Sequence, residues 1–334
     1  MHMSDALLSP AVGGIMSLAA AAAAGVCVAK AGRGNPEEKR IPLMGVMGAF
    51  IFAGQMINFT IPGTGSSGHI GGGILLAALL GPYPAYLVMA VILLIQCLFF
   101  ADGGLLAYGA NLFNMGFIPC LLAFPLIFKP LTKTLNKKNL FLASLCSVVV
   151  GLQAGAAGVV LQTFFSKITV IPLSAFFLLM QPIHLAIGVV EGLITGGVLS
   201  YILQTQPEIL ETGLSGGEVK KRNPKKTLLV FGAATVVIAG ILCLAASGLP
   251  DGLEWSLARS GAQEAEPDSP VHQALDSTVQ TTALMPDYNF ADRPSPGGTS
   301  VAGLTGSLLT LGLAAAVGFG LSRRRGSPKP RKPE

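Results

Sequence analysis

The sequence predicts an all-α membrane protein, seven spanning helices followed by a two-helix module, and three observations carry that prediction. Of the 334 residues, 51% are hydrophobic and 12% are charged, with a mean hydropathy of +0.63. Soluble domains carry about 25% charged residues. Apolar stretches of roughly 20 residues, the length that crosses a bilayer core, recur along the chain. The basic residues are also clustered: of 22 Lys and Arg, four fall in 30–40, four in 129–138, five in 220–226 and six in 323–332. Helices alternating between these segments put all four on one side, the cytoplasmic side by the positive-inside bias. The pI near 9.0 is therefore a topological signal and not a nucleic-acid footprint.

Taken in order, the first helix covers about 9–29 and ends at the basic loop 30–40, which leaves the N-terminus outside. The first residues lack a basic n-region, and the small-residue run Ala19 to Ala24 is read as part of a retained span. The second helix runs about 41–58. The stretch 58–69 is rich in Gly and Pro and reads as an outer loop beside the N-terminus. Helix three, about 70–81, is short for a span, and if it does not cross, the parity of everything after it reverses. Helices four to seven cover about 83–100, 105–128, 139–165 and 172–203. A polar cytoplasmic linker over 204–226 is the natural module boundary. Helix eight, about 227–248, leads into an acidic outer segment, 249–299, too polar to bury much and read as flexible. Helix nine, about 300–321, ends at Arg323-Arg324-Arg325, with the C-terminus cytoplasmic.

The chemistry concentrates at Met1-His2. A free α-amine, the His2 amide nitrogen and one His2 ring nitrogen close a five- and a six-membered chelate ring on one metal. Three positions of a square plane are then filled, and the fourth is open to an imidazole from elsewhere. Nitrogen ligation in a plane favours Ni2+ or Cu2+, with Co2+ close behind. His69, in Gly65-Ser66-Ser67-Gly68-His69, is the other histidine expected on the outer face of the first module. The plainer reading makes His2 part of a frayed terminus and His69 a helix-start residue. Asn58, Asn111 and Asp5 are candidates to orient the ligands. His184 and Glu191, seven apart, share one face of the seventh helix. An intramembrane carboxylate is costly, so Glu191 either serves ion or proton movement or subunit contact, or fixes the helix through a buried hydrogen bond. Gln96, Asn114 and Gln153 read as interhelical hydrogen-bonding groups. His272, in the polar outer segment, reads as solvated.

The five cysteines (Cys27, Cys97, Cys120, Cys146, Cys243) stand alone in apolar runs with no CxxC spacing and read as small hydrophobes. The dipeptide Gly-Lys does not occur, so the chain has no P-loop. The Ser66-Ser67-Gly68-His69 cluster is a weak basis for a serine hydrolase, because catalytic pairs are defined by geometry.

Several strings together resemble one family. Met1-His2 with Asp5 and Leu8-Ser9-Pro10, Asn58-Phe59, Ser67-Gly68-His69, Ala101-Asp102-Gly103-Gly104, Gly109-Ala110-Asn111 with Asn114-Met115-Gly116, and Glu191-Gly192 resemble the metal-specific membrane component of cobalt/nickel energy-coupling-factor transporters. The resemblance covers about 1–203. Ser4 and Ala6 stand where the family opening has Pro and Gly. Pro250-Asp251-Gly252-Leu253-Glu254 with Pro286-Asp287-Tyr288 resembles the small two-helix accessory component, here fused over 227–334. The resemblance implies a substrate-component helical bundle with an extra N-terminal helix. It also implies Ni2+ or Co2+ as transported substrate, held by the Met1 amine, the His2 amide and ring, and the His69 ring. A transmembrane coupling subunit and two cytoplasmic ATPase subunits would be partners in the bilayer, with no nucleotide bound by this chain itself. The fused accessory module leans the reading toward nickel. The alternative is a polytopic membrane enzyme or structural subunit with no role in metal transport.

Overall fold

The computed structural model describes residues 1–33, 40–215, 225–262 and 269–323. Lys39, the Lys220-Lys221-Arg222 cluster and the basic tail after Arg323 lie outside the described residues. Helix α1 is Pro10–Arg33, opened by a proline at its first position, where an N–H would have no intrahelical partner. Helix α2, Arg40–Gln55, leads into a hairpin of β1 (Phe59–Ile61) and β2 (Ser66–Gly68). Its strands are antiparallel, with Phe59 opposite Gly68 and Ile61 opposite Ser66. Gly63 and Gly65 turn the hairpin at φ +76, a backbone region that favours glycine. Then follow α3 (Gly73–Leu80), α4 (Pro82–Phe100), α5 (Tyr108–Leu131), α6 (Lys137–Ser166), α7 (Leu173–Thr205) and α8 (Pro207–Ser215). The C-terminal region supplies α9 (Lys225–Gly240), α10 (Gly252–Arg259), α11 (Pro270–Thr282) and α12 (Pro296–Arg323). The protein is an all-α membrane protein. Among the described residues, six helices (α1, α4, α5, α6, α7 and α12) are long and apolar enough to cross a bilayer.

Helix three departs from its expected form. Its eight residues are all buried and rise about 12 Å, far short of a core of about 30 Å. Non-helical backbone from the end of β2 through Gly72 leads into it. Such backbone is tolerated at membrane depth only where protein covers it, and Ser66 and Ser67 are fully buried. Parity survives. Lys30, near the end of α1, sits 5.1 Å over the ring of Tyr83 at the start of α4. The other end of α4 meets His2 through Asp102. The turn from α3 into α4 is the single residue Gly81 at φ +82.

Most of α5 (Phe113–Phe128) winds with i→i+5 hydrogen bonds and contains Pro119 and Pro125. Helices α6 and α7 pack closely through glycine: a Cβ on Gly192 would fall 2.8 Å from the Leu145 Cα. In the C-terminal region α12 lies against α2 and α9. A Cβ on Gly303 would sit 2.5 Å from the Ala239 carbonyl, and one on Gly45 2.8 Å from the Leu311 carbonyl.

The described part of 249–299 is not a loose tether, contrary to expectation. Helix α10 opens with a capping box in which Asp251 accepts from the Leu253 and Glu254 N–H groups and Glu254 returns a bond. Helix α11 is capped by Ser269 and starts with Pro270. His272, expected in solvent, is buried, with Nε2 2.8 Å from the Leu8 carbonyl and Nδ1 2.7 Å from Ser269 Oγ. Polar composition hid these helices; caps and long-range packing supply the order. The segment also extends the hairpin. Ser67 N–H donates to the Pro250 carbonyl at 2.8 Å, Ser67 Oγ donates to the Leu249 carbonyl at 2.7 Å, and Ser247 N–H donates to the Asn58 carbonyl at 2.7 Å. The open edge of β2 is thus covered, as unpaired strand edges need.

Candidate metal centre

The N-terminal segment is held by main-chain recognition. Met3 N–H donates to Asn111 Oδ1 at 2.7 Å, and Met3 C=O accepts from Asn111 Nδ2 at 3.0 Å and from Gly104 N–H at 2.9 Å. Asp5 Oδ1 accepts from the Ala107 N–H at 2.9 Å. Gly104 is required there, because a Cβ would fall 1.8 Å from Asp5 Oδ1. Asn111 and Asp5 therefore fix the strand that bears His2 and do not touch its ring. Asn58, just before β1, contributes its carbonyl to the Ser247 bond.

This anchoring buries Met1 and His2. The Met1 amine lies 2.7 Å from Asp251 Oδ2. The His2 and His69 rings stack with centroids 5.2 Å apart and planes 19° apart. His69 Nδ1 is 3.0 Å from the Ile70 carbonyl. A carbonyl only accepts, so Nδ1 carries the hydrogen and Nε2 keeps a free lone pair. His2 Nε2 is 3.1 Å from Gln96 Oε1, and His2 Nδ1 is 3.3 Å from Asp102 Oδ1. Tyr288 donates its hydroxyl to the other oxygen of Asp102.

The electrostatics favour neutral imidazoles. Burial holds His69 down to about 3, with the nearby Met1 ammonium and His2 adding to the effect. Burial also lowers His2, against the opposing pull of Asp102. Burial alone would raise Asp251, but the charge and hydrogen bond of the Met1 ammonium hold it below the usual carboxylate range. Neutral imidazole is the form that ligates a metal. Among the described residues no three His, Cys, Asp or Glu side chains group as a metal site. The α-amine and the first amide of the chain lie beside two imidazoles.

His184 and Glu191 lie under the same loop, each almost fully buried. Glu191 accepts from the Gly71 N–H at 2.7 Å and the Gly72 N–H at 2.8 Å, so both oxygens brace the backbone just after His69. His184 Nδ1 is 2.8 Å from the Met180 carbonyl. A cavity of about 30 Å³ lies between these residues and the N-terminus, with Met1, His69, Glu191, His184 and Asp251 in its wall. Sequence reasoning missed Asp251, Asp102 and Gln55; Gln96, read as an interhelical group, donates to Gln55 Oε1 at 2.8 Å and also meets His2. Asp251 and Asp102 were visible within family strings, but nothing local showed that either reaches the terminus. The amides Asn114 and Gln153 pair as interhelical groups, with Gln162 and the Gln181 carbonyl.

Comparison with known proteins follows this geometry. The model of the cobalt uptake substrate-specific transmembrane region, CbiM, matches residues 2–209, and that of the PDGLE domain matches 225–323. A protein of Archaeoglobus fulgidus provisionally named fused nickel transport protein NikMN is 32% identical over 97% of this chain and 98% of its own. The fused nickel transport protein NikMN of Rhodobacter capsulatus is 32% identical over 63% of this chain and 64% of its own. The crystal structure of a truncated transition metal transporter superposes with a TM-score of 0.54 at 32% identity, covering 61% of this chain and 99% of that one. This chain belongs to the CbiM family of substrate-specific transmembrane components, and it continues into a PDGLE domain.

Proposed function

We propose that the chain is the substrate-binding membrane component of an energy-coupling-factor uptake system for Ni2+ or Co2+, leaning to nickel. The metal is held by the Met1 amine, the His2 amide nitrogen, His2 Nδ1 and His69 Nε2. The observation that carries this is the meeting of a buried α-amine with two stacked, neutral imidazoles. His2 Nδ1 is the ring nitrogen that closes a six-membered chelate with its own amide. His69 supplies the fourth nitrogen from beyond α2. The amine must leave Asp251 to bind, and both it and the amide must lose protons, so affinity falls as pH falls.

In this reading the site faces outward, the Lys30 end of the bundle is cytoplasmic, and residues 204–226 link a metal-binding module to an accessory module. A transmembrane coupling subunit and two ATPase subunits supply the energy, as the family resemblance implies. Equilibrium nickel binding to protein with an unblocked N-terminus tests the site. His2→Ala, His69→Ala and one residue added before Met1 should each abolish tight binding. Retained affinity in all three removes the site and favours a role for the histidines in stability alone.

A further inference from the structure

We propose that Gln55 and Gln96 are positioning residues that decide which ring nitrogen of His2 is presented to the metal, a role that rests on the ligand set proposed above. The reasoning starts from a group whose polarity is fixed. The Gly71 carbonyl can only accept, so the Gln55 atom 2.8 Å from it is Nε2. The oxygen of the same amide then faces Gln96 and accepts from Gln96 Nε2 at 2.8 Å. That turns Gln96 Oε1 toward His2 Nε2, at 3.1 Å. An oxygen in that place needs an N–H. The hydrogen of His2 therefore sits on Nε2, and Nδ1, the nitrogen of the chelate, keeps its lone pair.

Neither amide can turn over cheaply. Gln55 and Gln96 are 5% and 1% exposed, and reversing either sets oxygen against oxygen or donor against donor where no water compensates. The chain of amides also has an opponent. Asp102 Oδ1 lies 3.3 Å from His2 Nδ1 and favours the opposite arrangement, with the hydrogen on Nδ1 and the metal nitrogen blocked. Tyr288 occupies the other oxygen of Asp102, which leaves Oδ1 directed to the ring. His2 thus stands between two acceptors, and the amide chain anchored on Gly71 sets the outcome. Gly71 is itself held by Glu191 through its N–H. The loop that carries His69 therefore also governs the ring of His2, so both imidazoles are set by one piece of backbone.

The chain has four histidines, so nitrogen-15 NMR of histidine-labelled, metal-free protein can resolve each ring. The expected result is His2 with its hydrogen on Nε2. Gln96→Met, which keeps the shape and removes the acceptor, should move that hydrogen to Nδ1 and weaken nickel binding about tenfold, the scale of lost support around metal ligands. Gln96→Glu retains an acceptor toward the ring and should keep the hydrogen on Nε2, although its second oxygen then faces Gln55 Oε1 and lowers affinity for that separate reason. Adding Asp102→Asn to Gln96→Met should recover affinity, because the competing carboxylate is gone. If Gln96→Met does not fold, Gln55→Met, which never touches His2, should give the same shift of the hydrogen. An unchanged His2 ring state in both Met variants, or a hydrogen on Nδ1 of His2 in Gln96→Glu, overturns the proposal. The ring state is read without metal, so a protein that bound no nickel would refute the ligand set and leave this test standing.

Discussion

At the scale of single residues, the terminus is fixed by contacts no wider than one hydrogen bond, and its chemistry predicts how it responds to acid. Asp251 is held below the usual carboxylate range by the Met1 ammonium. Its folded value is depressed, so its contribution is complete above the ordinary carboxylate value of about 3.9 and is lost as pH falls below it. His69 acts in the same direction. Its folded value of about 3 lies below the ordinary 6.5 or so, so the unfolded chain takes up a proton that the folded one refuses, and stability falls as pH drops from about 6.5 toward 3. Metal-free protein should therefore lose thermal stability in two acid windows. Asp251→Asn should remove the lower one and cost about 1.5–3 kcal/mol, the range for a hydrogen bond to a charged group. A pH profile of melting temperature unchanged by Asp251→Asn would contradict the pairing. Gly104→Ala should displace Asp5 and with it His2. We expect nickel affinity reduced about 10–100-fold with helical content retained by circular dichroism. His2 and His69 stood out in the sequence as candidate ligands because chelate rings are local chemistry. Gln55 and Asp102 did not, because what they face is distant in sequence, and Gln96 stood out only as an interhelical group.

At the scale of elements, the long spans follow directly from apolar runs, and the short ones do not. The stretch 58–72 reads as a loop because Gly and Pro dominate it, yet it pairs into a hairpin and continues as covered backbone into α3. Its register depends on Ser67 and Pro250, which no local pattern connects. Glu191 shows how a spanning helix contributes to this loop: its two oxygens take the two N–H groups that open α3. Glu191→Gln leaves one amide N–H facing another donor. Hydrogen exchange at Gly71 and Gly72 should accelerate, and nickel affinity should fall about tenfold. Unaltered exchange would mean that the loop holds itself and the carboxylate serves another purpose. The helices α10 and α11 were hidden by polar composition, since capping and the burial of His272 against Leu8 depend on residues far away in sequence.

At the scale of the whole molecule, the C-terminal module lies against the metal-binding module in both its helices and its polar segment. Asp251 reaches Met1 across 250 positions, Pro250 covers the hairpin edge, and His272 meets the main chain before α1. Under the proposed function, these links make the module part of the site. A chain ended at Ser215 should bind nickel about tenfold more weakly, and its β2 amides should exchange faster. Equal affinity and equal protection would make the module a passenger. The measurement that bears most directly on the central claim is X-ray absorption at the nickel edge of the loaded full-length protein. A nickel ion held by amine, amide and two imidazoles predicts a four-coordinate, planar, all-nitrogen shell with imidazole scattering that is lost in His69→Ala. A six-coordinate, oxygen-rich shell, or a spectrum indifferent to His69, would contradict it.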